Sequence, residues 1–294
     1  MTPRTGHEKD YPRNAMLAEV KRRLRHLGRS ARKSLGQHFL IDDRVLKDIV
    51  TAAELSPADT VLEIGPGLGV LTRELAGRVG RVVTVELDDS LAAALKKEMA
   101  PYGNVTVINE SILKLEPASL VSGHSGYKVV ANLPYYITAA ALRHLLEASQ
   151  PPVLIVVMVQ KEVAEAITAA LGKLSLLAVS IQFYGRPQIV GRVPASAFYP
   201  APKVDSAILK IVLNQRLVVS VPDREGFFRL VRAGFSAPRK QLAGSLANGL
   251  GVPKEGAVAL LAEAAIDARR RAETLSLEEW AGLWRVYQGA QPLC

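Results

Sequence analysis

Val129-Val130-Ala131-Asn132-Leu133-Pro134-Tyr135 is the stretch from which the fold can be read. An apolar run that stops at Asn-Leu-Pro reads as a buried strand delivering a polar side chain and a rigid turn to its exposed end. Open α/β sheets place their ligands outside the carboxyl ends of such strands. Asn132 offers a carbonyl oxygen there, and the Leu133 backbone offers a second acceptor. Pro134 fixes its own φ and biases Leu133 toward an extended conformation, so both acceptors are held in place. Tyr135 adds an aromatic face. Two acceptors and a flat ring suit a planar group bearing an NH2, such as adenine or cytosine.

Upstream, the chain supplies a matching strand-and-turn pattern. Val61-Leu62-Glu63-Ile64 runs into Gly65-Pro66-Gly67-Leu68-Gly69 and then a helical stretch through Ala76. Glycines let the chain turn tightly and let the backbone approach a ligand that a Cβ would exclude. The spacing differs from the Gly-x-Gly-x-x-Gly of dinucleotide binders, and no Gly-Lys-Ser/Thr follows, so a P-loop is excluded. A short glycine turn with Glu63 upstream is more typical of S-adenosylmethionine sites. Glu86 ends the next strand, where a carboxylate accepts from both ribose hydroxyls. NAD fits the turn and Glu86 as well, but hydride transfer has no use for an amine-gripping Asn-Leu-Pro-Tyr.

Working outward, strand and helix patterns alternate. Arg81–Leu87, Val105–Ile108, Lys128–Ala131 and Val153–Val159 read as buried strands, with Ile181–Tyr184 and Ala207–Leu213 as the last ones. Strands separated by helices imply a parallel sheet covered on both faces. The expected fold is α/β: a Rossmann-like methyltransferase domain over 34–215 and a smaller all-α domain over 216–294. The boundary falls near 215–222. Asp223 and Ser276 mark helix starts in the second part. Residues 1–33 read as a basic, mobile arm, although Leu17, Val20, Leu24 and Leu27 share one helical face.

Composition bounds the function classes. The chain has 294 residues, 49% hydrophobic and 22% charged, as expected of a globular protein with an ample core. The one cysteine is Cys294, so disulfide and structural-zinc readings fall away and a reducing, cytoplasmic compartment is expected. No His/Cys/Asp cluster suggests a metal, and no apolar run approaches the ~20 residues of a membrane span. The net charge of +9 points to an anionic partner. Ten Lys and Arg stand in residues 1–33 against Glu8, Asp10 and Glu19. Residues 226–254 carry Arg229, Arg232, Arg239, Lys240 and Lys254 with no acid. Two separated basic blocks favour nucleic acid over a merely solvated tail.

Taken in order, Gln37-His38-Phe39-Leu40, Glu63–Gly69, Glu86-Leu87, Asn132-Leu133-Pro134-Tyr135-Tyr136, Gln160-Lys161-Glu162 and Phe198–Ser206 resemble the rRNA adenine dimethyltransferases. The match spans about residues 33–250 and is most similar to the small-subunit, KsgA type. The resemblance implies dimethylation of two adjacent adenosines near the 3′ end of 16S rRNA, with S-adenosylmethionine as methyl donor and no metal. It places His38, Leu40, Gly65, Glu86 and position 111 on the cofactor, with Gln37, Gly67, Leu87 and Ile112 beside them. Asn132 is shared between cofactor and target, with Leu133, Pro134, Tyr135 and Phe198 completing the catalytic set and the two aromatics sandwiching the extruded base. Lys203, Arg229, Arg232, Arg239 and Lys240 are expected on RNA. Two positions depart from the family: His38 stands where Asn is frequent, and Ser111 where Asp usually meets the cofactor's adenine amine. A monomer acting on an assembled subunit is expected. Competing readings are an Erm-type large-subunit methyltransferase, an assembly checkpoint with dispensable catalysis, and an amine methyltransferase for DNA or protein glutamine.

Overall fold

The structure, a computed structural model, describes residues 11–28, 36–121, 126–214 and 216–290. Cys294, Glu8, Asp10 and the basic residues at 4, 9, 29, 32 and 33 lie outside the described residues. The chain forms two compact units, Met1–Ala164 with Gln188–Leu213, and Glu165–Pro187 with Asn214–Cys294.

In the first unit, α1 (Tyr11–His26) precedes β1 (Phe39–Leu40), α2 (Asp43–Ala52), β2 (Thr60–Ile64), α3 (Val70–Ala76), β3 (Arg81–Glu86), α4 (Asp89–Met99) and β4 (Val105–Asn109). The short α5 (Pro117–Leu120), β5 (Lys128–Asn132), α6 (Thr138–Leu146), β6 (Leu154–Gln160) and the start of α7 (Lys161–Ile167) follow. The seven-stranded sheet has the order β4-β3-β2-β5-β6-β9-β7, where β7 is Gly185–Val193 and β9 is Ser206–Leu213. Strands β2 to β6 run parallel, and β9 pairs antiparallel with β6. Every residue of β2 is buried, which is why that strand is apolar throughout except for Glu63 and Thr60. The sheet grows from β2 outward to β4, then returns across β2 to begin again at β5. That reversal opens a crevice at the carboxyl ends of β2 and β5, where Gly65 and Asn132 stand. Asp42 and Asp88 cap α2 and α4 with their side chains, as free backbone N–H groups at a helix start require.

Three expectations are corrected. Ile181–Tyr184 is not a strand but the end of α8 (Leu176–Tyr184), capped by Ser175, and the strand begins only at Gly185. A short apolar run does not distinguish buried helix from strand by periodicity, and here the cap decides. The strand at Val105–Ile108 is only half-buried, because β4 forms the sheet edge. Residues 11–26, expected to be mobile, form a helix docked on the first unit: Val20 and Leu24 are buried against Phe39, Ile41, Leu68 and Leu91. The apolar stripe on that helix outweighs its basic composition.

The second unit contains α8, α9 (Arg224–Gly234), α10 (Leu242–Leu250), α11 (Lys254–Glu263) and α12 (Leu277–Ala290). Residues 165–187 belong to it because α8 is apolar almost all round and must be buried. Phe183 stacks on Phe227 of α9 at 5.2 Å, and meets Phe228 edge-on at 5.1 Å. Asp223 caps α9, and Ser276 and Glu279 form the reciprocal capping box that starts α12.

Candidate functional site

A cavity of about 230 Å³ occupies the crevice of the first unit. Its floor is the turn between β2 and α3. Gly65, Gly67 and Gly69 take φ of +66°, +56° and +71°, the left-handed region that L side chains rarely adopt. A Cβ on Gly67 would also stand 3.1 Å from the Phe39 ring, and one on Gly65 3.3 Å from Pro134. The turn therefore exists in this form only with glycine, and the cradle it makes is open to a ligand.

Two buried carboxylates line this floor. Glu86, at the end of β3, accepts from the Gly67 N–H at 3.0 Å and the Asp88 N–H at 2.9 Å. Burial raises its pKa, and those two N–H groups oppose the shift. Glu63 points in from β2, with the Thr72 hydroxyl donating to it at 2.7 Å. Burial pushes the Glu63 carboxyl up to about 8, the Thr72 bond only partly opposing it. Cavity walls rich in backbone amides and buried acids fit a ligand that carries hydroxyls and positive charge.

At the end of β4, Glu110, Ser111 and Ile112 close one side of the cavity. Glu110 accepts from the Ser111 N–H at 2.8 Å and pairs with Lys114 at 3.5 Å. The Ser111 N–H and then Lys114 hold its carboxyl below the usual range. Leu87 and Leu113, both substantially exposed, form an apolar rim on this side.

Asn132, Leu133, Pro134 and Tyr135 form the opposite wall with Gln37, His38 and Leu40. The Asn132 side chain donates its NH2 to the His38 carbonyl at 3.0 Å, which leaves Oδ1 as the acceptor it has to offer. Leu133 is buried and donates its N–H to the Met158 carbonyl of β6 at 3.2 Å. His38 Nδ1 lies 2.7 Å from the Pro200 carbonyl, so that nitrogen carries the proton. Its ring stacks on Tyr135 at 5.6 Å, and the Tyr135 hydroxyl lies 2.6 Å from Ser206 Oγ. Desolvation raises the Tyr135 hydroxyl's pKa, so at neutral pH the ring remains a phenol.

The segment Phe198–Ser206 thus serves as the scaffold of this wall. Phe198 and Tyr199 form β8, which pairs with β1 and aligns Leu40 with Phe198. Phe198 does not line the cavity. It is 3% exposed, packed with Leu40, Leu46, Val193 and Ile208 in the core below. The expected stacking role is corrected accordingly: the β1–β8 pairing turns its side chain inward. Phe198→Leu is expected to cost about 1 kcal/mol in denaturant unfolding and to leave turnover per folded molecule within threefold. A base-stacking residue would lose far more turnover than stability.

Of the residues expected on RNA, Lys203 is exposed on the first unit. Arg229 and Arg232 are exposed on α9, and Arg239 and Lys240 on the turn into α10. Arg229 also reaches Glu225 at 3.7 Å. Glu63, read from the sequence only as the acid preceding the glycine turn, and Glu110 and Tyr136, which are not among the expected cofactor residues, line the cavity as well. For Glu63 a signal existed: a lone acid inside an apolar strand run, immediately before the glycine turn.

The family model for "Ribosomal RNA adenine dimethylase" matches residues 28–288. A Dehalococcoides mccartyi protein named "Ribosomal RNA small subunit methyltransferase A" is 50% identical over 285 residues, covering 95% of this chain and 98% of its own. A Moorella thermoacetica protein of the same name is 45% identical over 275 residues, 90% of this chain and 95% of its own. Among solved structures, a dimethyladenosine transferase from Plasmodium falciparum superimposes with a TM-score of 0.73 at 25% identity, covering 86% of this chain and 98% of its own. The 23S rRNA methyltransferase ErmE gives 0.65 at 30% identity, with 85% and 99% covered.

Proposed function

The chain belongs to the ribosomal RNA adenine dimethylase family, and we propose that it transfers methyl groups from S-adenosylmethionine to the exocyclic amines of two adjacent adenosines near the 3′ end of 16S rRNA. In this reading it acts as a monomer in the cytoplasm on the small ribosomal subunit or its precursor, without a metal. The observation that carries the reading is the crevice itself. An amide oxygen and an aromatic face stand across a glycine cradle from two buried carboxylates, at the point where the sheet reverses.

These residues fit the methyl donor, which supplies an electrophilic methyl sulfonium when bound. Glu86, held by Gly67 and Asp88, would accept from vicinal ribose hydroxyls. Glu63 would meet the positively charged end. Leu87 and Ile112 would hold the adenine, with Ser111 and Glu110 as the polar groups available to its edge. On the target side, Asn132 Oδ1 and the Leu133 carbonyl accept from the adenine amine. Two such bonds favour a pyramidal nitrogen whose lone pair is aimed at the methyl carbon, and positioning of this kind dominates an in-line displacement. Tyr135 offers its face to the base, fixed by His38 on one side and Ser206 at its hydroxyl. Few contacts to the amine leave room for the monomethylated intermediate to react again.

Arg229, Arg232, Arg239 and Lys240, with Lys203, supply the phosphate contacts. Reversing two of them, Arg239→Glu with Lys240→Glu, is expected to weaken subunit binding and to flatten the slope of log affinity against log salt by about 2. Filter binding across a salt series checks it, and an unchanged slope removes these residues from the interface.

A large-subunit target is the weaker alternative, because the small-subunit relatives are the more similar in sequence. The test is methyl transfer from labelled S-adenosylmethionine to unmethylated small subunits, large subunits and naked rRNA, mapped by reverse-transcription stops. Label on two adjacent small-subunit adenosines is expected. A single large-subunit site, or no transfer with binding retained, overturns the reading.

A further inference from the structure

The docking of α1 adds something the glycine turn and the strand ends do not contain. Phe39, Leu68 and Leu91 line the cavity with one part of their surface and carry the buried face of α1 with another. The helix is therefore the outer layer of the cavity wall. From its last turn, Arg23 Nη1 donates to the Leu68 carbonyl, inside the glycine turn, at 2.5 Å. The other guanidinium nitrogen, Nη2, bonds Glu98 of α4. Glu98 also holds Arg73 of α3, the helix that continues from the turn. One guanidinium thus ties the turn itself to α4, whose N-cap residue Asp88 donates to Glu86, and through Glu98 to α3 behind the turn. Nearer the start of the same helix, Arg13 donates to the Ser196 carbonyl at 2.5 Å, and Lys21 lies over the Tyr199 ring at 5.2 Å.

We propose that Arg23 is a positioning residue for the cofactor site, acting from α1 through the Leu68 carbonyl and Glu98 to set the shape of the Gly65–Gly69 turn. The chemistry favours arginine: a planar fork serves a carbonyl and a carboxylate at once, which one ammonium does not. The side chain is 15% exposed, so its charge depends on these partners. Burial and then the nearby Arg73 lower its pKa to about 10, which leaves it charged at neutral pH. Arg22, its neighbour on the same helix, is exposed and, among the described residues, bonds within α1, to Glu19. That pair of adjacent arginines makes an internal control.

The assignment rests on the reading of the cavity as an S-adenosylmethionine site. It is tested on the full chain with wild type, Arg23→Ala, Arg23→Lys and Arg22→Ala. Calorimetry gives the Kd for S-adenosylmethionine, steady-state assays give KM for that substrate and kcat, and thermal unfolding without ligand gives the midpoint. Arg23→Ala is expected to raise Kd and KM for S-adenosylmethionine about fivefold, the low end of couplings between groups that do not touch. Saturating cofactor restores kcat to within twofold, Arg23→Lys recovers part of the affinity, and Arg22→Ala matches wild type. An Arg23→Ala affinity equal to that of Arg22→Ala overturns the proposal. So does a loss of kcat with KM unchanged, or a lowered midpoint with cofactor affinity intact. If Arg23→Ala does not fold, Arg23→Lys decides alone, and unaltered affinity in it overturns the proposal. Wild-type protein that binds no S-adenosylmethionine overturns the cofactor reading, and this assignment with it.

Discussion

Asn132→Ala loses about 10²-fold or more in kcat while small-subunit binding stays within a few-fold of wild type. The phosphate contacts assigned to Arg229, Arg232, Arg239 and Lys240 belong to other elements of the chain, so they are expected to persist. What it loses is local and double. The amide oxygen facing the target amine disappears, and with it the geometry that pyramidalises a nitrogen whose lone pair is otherwise delocalised into the ring. The NH2 that restrains the His38 carbonyl at 3.0 Å disappears too, and His38 is the ring against which Tyr135 stacks. Asn132→Asp is not expected to rescue: a carboxylate keeps an acceptor for the amine but faces the His38 carbonyl with no donor between them. Single-turnover kinetics on unmethylated subunits separate the chemical step from binding. Turnover within threefold of wild type would remove Asn132 from the mechanism, and an equal loss of subunit affinity would make it a folding residue instead.

The parts of this site that local sequence announces are those where one residue breaks a pattern that its neighbours set. Glycines at 65, 67 and 69 interrupt an apolar strand, Glu86 ends one, and Asn132-Leu133-Pro134 ends another. Alternation of strands and helices then puts those ends along one side of a sheet without further information. Three kinds of feature were not legible, each for a physical reason. Leu176–Tyr184 is apolar almost all round because it packs among Phe227 and Phe228, partners far along the chain, and its period is silent on helix or strand. Phe198 and Ser206 stand in one recognisable motif, yet one faces the core and the other holds the Tyr135 hydroxyl. That division depends on β8 pairing with β1 and β9 with β6, contacts made across the chain. The α1 helix shows Leu17, Val20 and Leu24 on one face, but they stand in a stretch whose basic residues suggest a solvated arm. Docking is decided by Phe39, Leu68 and Leu91, which supply the apolar surface it covers. The same non-locality hides the environment of Glu63. Its position before the glycine turn is plain in the chain, whereas its burial and the Thr72 bond are properties of the packed sheet.

Glu63 carries the other large expectation, and it concerns protons. In the unfolded chain its carboxyl titrates near the ordinary value of 4.5, and in the folded chain near 8, because burial penalises the charge. The folded state therefore holds a proton that the unfolded state releases between those values. Its contribution to stability is fully present below pH 4.5 and is lost as pH rises toward 8. A cationic ligand in the cavity works in the opposite sense, since it favours the ionised carboxylate. If S-adenosylmethionine binds beside ionised Glu63, its apparent Kd falls about tenfold per pH unit between 6 and 7 and levels off above 8. Near pH 7 each binding event then releases close to one proton from this group. Calorimetry in two buffers of different ionisation enthalpy counts that proton directly. Glu86 is buried as well and its pKa is raised, so it contributes to the same curve, and Glu63→Gln separates the two. That variant keeps the size of the side chain and the bond from Thr72, and removes only the titration. Its stability is expected to lose the decline between pH 4.5 and 8. Its cofactor affinity is expected to lose most of the pH dependence and to sit below wild type at pH 8. Wild-type binding with no proton release at pH 7, matched by Glu63→Gln, would mean that Glu63 stays neutral beside the bound cofactor. The positive end of the ligand would then be met by Glu86 or by the carbonyls of the glycine turn.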